Sequence, residues 1–378
     1  MAVTRQQTPV PLFDLRAQHE PLHEAILDAW SRLLNAGAFV SAAEVEAFEH
    51  EFAGACEVGH CVALSSGTDA LVLALRALGI GPGDRVIVPA NTFFASAEAV
   101  TLAGAEVALV DCDPGTRTIS VDAVENELRA RGAAAVIAVH LYGHPADVEA
   151  LTAVAEPSGA WVIEDACQAH LARARGVRAG GLGRIACFSF YPSKNLGATG
   201  EGGAVTTNDQ ELADVVRELR HHGQSAPNHH ERIGSNARLG ELTAAALRIK
   251  LPHLAGWTQA RRRVAARYAA GLADANAIRL PHTEPWAEPV WHLYPVEVAD
   301  RDAVRAGLAE LGVATGVHYP TPIHLQPAYA YLGHGAGSFP EAERNAARVL
   351  SLPMFPELSD AQVERVVEAL MATTDEGR

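Results

Sequence analysis

The strongest constraint on the fold is a rhythm. Seven short, apolar, β-branched runs recur along the first half of the chain: Cys61–Ser66, Arg85–Ala90, Glu106–Asp111, Ala135–His140, Trp161–Ala166, Ile185–Phe190 and Gly203–Asn208. They lack internal polar alternation, which marks strands buried on both faces. Helix-like segments lie between several of them, at Thr68–Leu78, Ala95–Ala103, Val121–Arg131 and Ala146–Ala155. Strand and helix in alternation predict an α/β fold, a mainly parallel seven-stranded sheet covered by helices. "GIGPGD" (Gly79–Asp84) and "DPGT" (Asp113–Thr116) supply turn chemistry between elements.

Beyond Asn208 the rhythm changes. Asn208–His222 and Gly240–Ala270 read as helices, the second amphipathic, rich in Arg and kinked at Pro252. His292–Val298 and Gly316–Pro320 read as strands of a smaller α+β unit. Arg301–Leu311, Pro340–Leu350 and Asp360–Met371 read as its helices, and the tail "TTDEGR" is expected to fray. A chain of 378 residues accommodates this division into a large domain over 10–250 and a C-terminal small domain over 251–378.

The net charge of -15 argues against a nucleic-acid or membrane surface. "MAVTRQQTPV" has no signal-peptide run, and no stretch has the length of a membrane span. The five cysteines, Cys56, Cys61, Cys112, Cys167 and Cys187, show no CxxC spacing, which fits a reducing cytoplasm. The histidine pairs His221-His222 and His229-His230 carry no zinc spacing, so no metal is expected.

One compositional detail points to chemistry. The thirty basic residues comprise twenty-eight arginines and two lysines, Lys194 and Lys250. Arg cannot lose its proton in a protein, whereas a Lys amine can, and can then attack a carbonyl. Lys194 lies in "FSFYPSKNLGATGEGG", just past the sixth predicted strand. In parallel sheets, ligands bind beyond the carboxyl ends of the strands, and other unusual residues gather there too. "SSGTDAL" follows the first strand and offers N–H groups at a helix start to an anion. "NTFFAS" follows the second and "EDACQAH" ends the fifth. Taken singly, Ser66-Gly67-Thr68 reads as a helix cap, Phe93 as core and Asp165 as an ion-pair partner.

Together they match a flat cofactor with a phosphate, a basic ring nitrogen and an aldehyde, pyridoxal 5'-phosphate. Lys194 takes the aldehyde as a Schiff base and Asp165 keeps the ring nitrogen protonated. Phe93 lies against the ring, Gln168 is placed for its hydroxyl, and Gly67, Thr68 and Ser189 serve the phosphate. "YPSK" has two residues between Tyr and Lys where short-chain dehydrogenases need three. No GxGxxG follows the first strand, so a nicotinamide enzyme is not indicated.

The segments "ALSSGTDAL", "VIVPANTFFAS", "VHLYGHPADV", "IEDACQAH", "FSFYPSKNLGATGEGGAV", "IGSNARLGELTAAALRIKLPHL" and "GVHYPTPIHLQPAY" resemble the DegT/DnrJ/EryC1/StrS family of sugar aminotransferases. This is a branch of the aspartate aminotransferase superfamily, and the likeness runs from "PLFDLRAQ" to "SLPMFPEL". It implies a cytoplasmic homodimer with shared active sites, in which Asn236 contacts the cofactor phosphate of the other subunit. It places Tyr191, His318 and Tyr319 at the nucleotide sugar, and His221 with the Asn228–Arg232 loop toward the diphosphate. It implies L-glutamate as donor and a nucleotide-linked keto sugar as acceptor, most closely a dTDP-3-keto-6-deoxyhexose of antibiotic deoxysugar biosynthesis. The alternatives are a dTDP- or UDP-4-keto sugar, a cyclitol ketone, or a regulatory protein that only binds the cofactor. Ala42 stands where the family usually shows Gly. The Schiff-base lysine, which some dehydrating relatives replace with His, is kept.

Overall fold

The computed structural model describes residues 8–40 and 42–375. Glu376–Arg378 of the tail expected to fray, and most of the N-terminal segment read for a signal peptide, lie outside the described residues. The first described helices are α1 (Leu15–His19), α2 (His23–Ala36) and α3 (Ala43–Cys56). The strands β1 (His60–Leu64), β2 (Arg85–Pro89), β3 (Glu106–Val110), β4 (Ala135–Val139) and β5 (Trp161–Asp165) follow. With Ile185–Ser189 and Gly203–Thr207 they form one seven-stranded sheet, with α4 (Gly67–Ala77) and α5 (Phe94–Ala103) among its helices. The order is β1, 203–207, 185–189, β5, β4, β2, β3, and only the 203–207 strand runs antiparallel to its neighbours. Seven of the predicted runs are therefore its seven strands.

Alternate residues of each strand feed opposite cores, as the two-residue period requires. Ala135, Ile137 and Val139 of β4 pack toward α4 and α5. Val136 and Ala138 face the Val121–Arg131 and Val148–Ala155 helices. On β5, Ile163 belongs to the first core and Val162 to the second. The same parity sends the side chains of Asp165 and Glu164 to opposite faces, which decides their roles.

A second core gathers Val264, Tyr268, Val296, Leu308, Leu350 and Val366 around an antiparallel sheet of Ile278–Arg279, Tyr294–Val298 and Val349–Leu352. Val10 joins this core, its backbone bridged to Val313. A buried ion pair ties the two units: Arg117, in the turn after β3, reaches Glu297 at 3.0 Å and donates to the Pro295 carbonyl at 3.1 Å.

Three expectations change. Gly240–Ala270 is two helices, Glu241–Lys250 and Leu254–Gly271, joined by a single 3₁₀ turn carrying Pro252, which cannot continue the hydrogen-bond ladder. The helix expected over Pro340–Leu350 stops at Arg348, because Val349–Leu352 is fully buried and pairs with Tyr294–Val298. Gly316–Pro320 is no strand: only Gly316 bridges, to Ser351, and the rest turns into the cavity described below. Ala42 has φ -128, extended backbone open to any residue. It cannot cap α3 itself, and buried Glu241 does so instead, accepting from Ala42 N at 2.6 Å and Glu44 N at 2.8 Å.

Candidate active site

Four loops leave the same edge of the sheet and enclose a cavity of about 520 Å³. After β1, Ser66 caps α4, its hydroxyl accepting from Asp69 N at 3.0 Å. Asp69 in turn accepts from the hydroxyls of Ser65 and Ser66 at 2.5 and 3.0 Å. The first-turn N–H groups of Gly67 and Thr68 have no intrahelical acceptor, and both residues line the cavity. A side chain at Gly67 would place its Cβ 2.7 Å from Ser189 Cβ and 3.0 Å from Cys167 Sγ, so only glycine lets helix and strand end approach this closely.

Asp165 ends β5, buried. Ser96 donates to its Oδ2 at 2.7 Å and Cys167 N donates to its Oδ1 at 3.2 Å. Ser96 is backed by Thr92 at 2.8 Å. Thr92 and Ser96 are absent from the sequence expectations: Thr92 precedes the Phe93 N-cap of α5 and Ser96 lies in its first turn, and only the fold brings their hydroxyls together. Glu164, one residue earlier, points away. It takes His140 Nε2 at 2.9 Å and the backbone N–H groups of Gly180, Leu182 and Gly183 at 2.8 to 2.9 Å.

Lys194 lines the same cavity as Asp165. Burial lowers its pKa below the ordinary lysine value, against the opposing pull of Cys167 and Asp165. The amine therefore gives up its proton more readily than a surface lysine. Phe93 stands half exposed at the rim, 5.5 Å from the Tyr319 ring. Gln168 is oriented from within the protein: Tyr142 N donates to its Oε1 at 2.6 Å and one hydrogen of its Nε2 goes to Tyr319 OH at 3.1 Å. His318 Nδ1 lies 2.9 Å from Ser351 Oγ, and burial, then Lys194, lowers its pKa to about 4. Tyr191, Ser189, Cys167, Glu201 and His292 are also part of the lining.

Ten of the eleven predicted residues thus meet on one cavity. Asn236, expected at the cofactor of the other subunit, lies off this cavity. It is exposed on the segment after the His229–His230 hairpin strand, its Oδ1 accepting from Arg238 at 2.9 and 3.1 Å. His221 contacts the same Arg238 at 3.0 Å, and His229 and His230 are exposed.

A lysine amine of lowered pKa, a held carboxylate and an open helix start, all at the carboxyl edge of such a sheet, define an enzyme of the aminotransferase class. The chain belongs to the DegT/DnrJ/EryC1/StrS aminotransferase family, whose model matches residues 21–371. It is 48% identical over 363 residues to "erythromycin biosynthesis sensory transduction protein EryC1" of Saccharopolyspora erythraea, covering 96% of this chain and 99% of that one. It is 47% identical over 368 residues to the dTDP-3-amino-3,4,6-trideoxy-alpha-D-glucose transaminase of Streptomyces venezuelae, covering 97% of each. Among solved structures, S. venezuelae DesV in complex with a ketimine intermediate superposes with a TM-score of 0.94 at 46% identity, over 97% of this chain and 98% of that one. Aminotransferases of this family are pyridoxal 5'-phosphate enzymes. Among the described residues, no helix is long and apolar enough to cross a membrane.

Proposed function

We infer that the chain is a homodimeric, pyridoxal 5'-phosphate-dependent transaminase. It passes the amino group of L-glutamate to a nucleotide-linked keto sugar, with a dTDP-3-keto-6-deoxyhexose as the preferred acceptor. The observation that carries this reading is the meeting of Lys194, Asp165 and the start of α4 on one cavity. Preference for the 3-keto position rests on the 47% identity to the Streptomyces venezuelae transaminase.

The residues fit the cofactor. Glycine at position 67 lets the start of α4 close on Ser189, and the Gly67 and Thr68 N–H groups with Ser189 offer donors to a phosphate. When bound, the cofactor supplies an aldehyde that carries the amino group and a protonated ring that draws electrons from the bond being broken. The Asp165 carboxylate, aimed by Ser96 and Cys167 N, holds the proton on the ring nitrogen. Lys194 Nζ would anchor the resting cofactor and, once released, would carry a proton from the donor α-carbon to the carbon of the former aldehyde. Phe93 covers the ring face. Gln168 is the partner for the ring hydroxyl, its plane fixed by Tyr142 and Tyr319. Tyr191, His318 and Tyr319 border the space left for the sugar.

Among the described residues no arginine lines the cavity, so a diphosphate needs help from a second copy. Asn236 of the partner subunit, with His221 and the Asn228–Arg232 loop beside it, supplies that wall. Apolar exposure supports a covering copy: Leu34 is 58% exposed, Val40 51%, and Ile233, near Asn236, 93%.

The test is the visible absorption of the purified protein with pyridoxal 5'-phosphate, before and after L-glutamate. A yellow band that glutamate bleaches, absent in Lys194→Ala, is expected. A colourless protein, or a band that glutamate leaves untouched, overturns the reading.

A further inference from the structure

Lys194 is one of only two lysines, and the other has no place in the site just described. Lys250 ends the Glu241–Lys250 helix and is fully buried. Its Nζ donates to the carbonyl of Gly197 and lies 3.0 Å from His19 Nε2. His19 Nδ1 is 2.6 Å from the Leu15 carbonyl, so Nδ1 carries the ring proton and Nε2 is left as acceptor for the ammonium. Burial lowers the Lys250 pKa to about 8, which leaves it mostly charged at neutral pH.

Gly197 belongs to the arch that presents Lys194. Phe190 closes its foot, accepting from Ala198 N at 2.7 Å, and Tyr191 accepts from Lys194 N at 2.8 Å. A Cβ at Gly197 would sit 2.1 Å from the Pro192 carbonyl oxygen, so the arch is folded tightly on itself. Asn195 pins one side by donating to the Val290 carbonyl at 3.1 Å. Lys250 supplies the other fixed point, reaching out of a different helix and braced by α1.

We propose that Lys250 is a positioning residue: by holding the Gly197 carbonyl it sets where Lys194 Nζ meets the aldehyde of the cofactor. The proposal rests on the function inferred above. The site suits a compact ammonium, since two acceptors meet it in a closed space. The five-donor guanidinium fork of arginine would bury unpaired N–H groups there.

The experiment compares two ligands on one protein. Pyridoxal 5'-phosphate needs Lys194 for capture, whereas pyridoxamine 5'-phosphate has no aldehyde and shares every other contact, the phosphate bed, Asp165, Phe93 and Gln168. Dissociation constants of both are measured by absorbance and fluorescence titration of the apoprotein. Lys250→Met is expected to weaken the aldehyde form about tenfold and the amine form less than about twofold. His19→Leu, which removes the brace and keeps the ammonium, is expected to give a split of about threefold in the same direction. It carries the test should Lys250→Met not fold. Equal loss for both ligands would reduce Lys250 to general packing and overturn the proposal, as would no change for either. Borohydride trapping and peptide mass analysis of the unmodified protein separate the two levels. Failure to trap the cofactor on Lys194 sinks the inferred function with the proposal, whereas trapping with no split in the variants sinks the proposal alone.

Discussion

Glu164 and Asp165 are adjacent on β5, both carboxylates and both buried, yet they face opposite layers of the molecule. Glu164 is saturated: one imidazole and three backbone N–H groups converge on it, and it closes the Gly180–Gly183 turn against the sheet. Asp165 receives only Ser96 and Cys167 N, and its remaining capacity faces the cavity. A carboxylate has room for about four hydrogen bonds. The one whose partners are all internal serves the fold, and the one left short serves a ligand.

Exchanging charge for amide at the open carboxylate should produce the largest effect. Asp165→Asn keeps an acceptor for Ser96 but cannot hold a proton on a ring nitrogen. The glutamate-driven bleaching, followed by stopped flow, should slow by about 10²- to 10³-fold, with melting temperature nearly unchanged. A variant that melts far earlier but reacts normally would reverse the assignment of the two faces.

The closed carboxylate should behave the other way. Glu164→Ala strands His140 Nε2 and three N–H groups in a dry interior, at a cost of about 3 to 5 kcal/mol in urea unfolding. Where the protein still folds and binds cofactor, the bleaching rate should stay within about threefold of the unmodified enzyme. A selective loss of rate with full stability would break the comparison.

The contrast also shows what the sequence could reveal. The βα rhythm survives translation into structure because strands buried on both faces need unbroken apolar runs, and all seven are there. Asp165 was legible because it ends such a run, where parallel sheets place ligands. Scarcity of lysine pointed to Lys194, but Lys250 is equally scarce and sits outside the cavity, so scarcity alone does not separate chemistry from packing. Long-range partners left no local mark. Arg117 finds Glu297, and Glu241 caps α3 from far along the chain. The Val349–Leu352 strand was hidden because its three apolar residues, right after a helix, extend the helical pattern equally well until a neighbouring strand is known.

The smallest effect concerns histidines on the cavity side and beneath it. Burial lowers the pKa of His144 and His318 to about 4 and of His170 to about 3, and holds His292 well below the ordinary value. A base whose folded pKa is depressed stays neutral in the native state while the unfolded chain takes up protons. Its contribution is therefore complete above the unfolded value near 6.5 and drains away as pH falls toward the folded one. Each such histidine costs about 1.4 kcal/mol per pH unit across that window. His170 lies among Phe52, Phe188 and Phe190, with ring centroids 5.4 to 6.4 Å away. His170→Phe should thus remove one proton from the linkage. Urea unfolding at pH 7, 6 and 5 should show the variant losing stability less steeply than the unmodified protein, by about half that amount from pH 7 to 6 and nearly all of it from pH 6 to 5. Parallel slopes would mean that His170 is protonated or solvated in the native state. The buried layer beneath the site would then share the open, ligand-ready character of Asp165 instead of the closed character of Glu164.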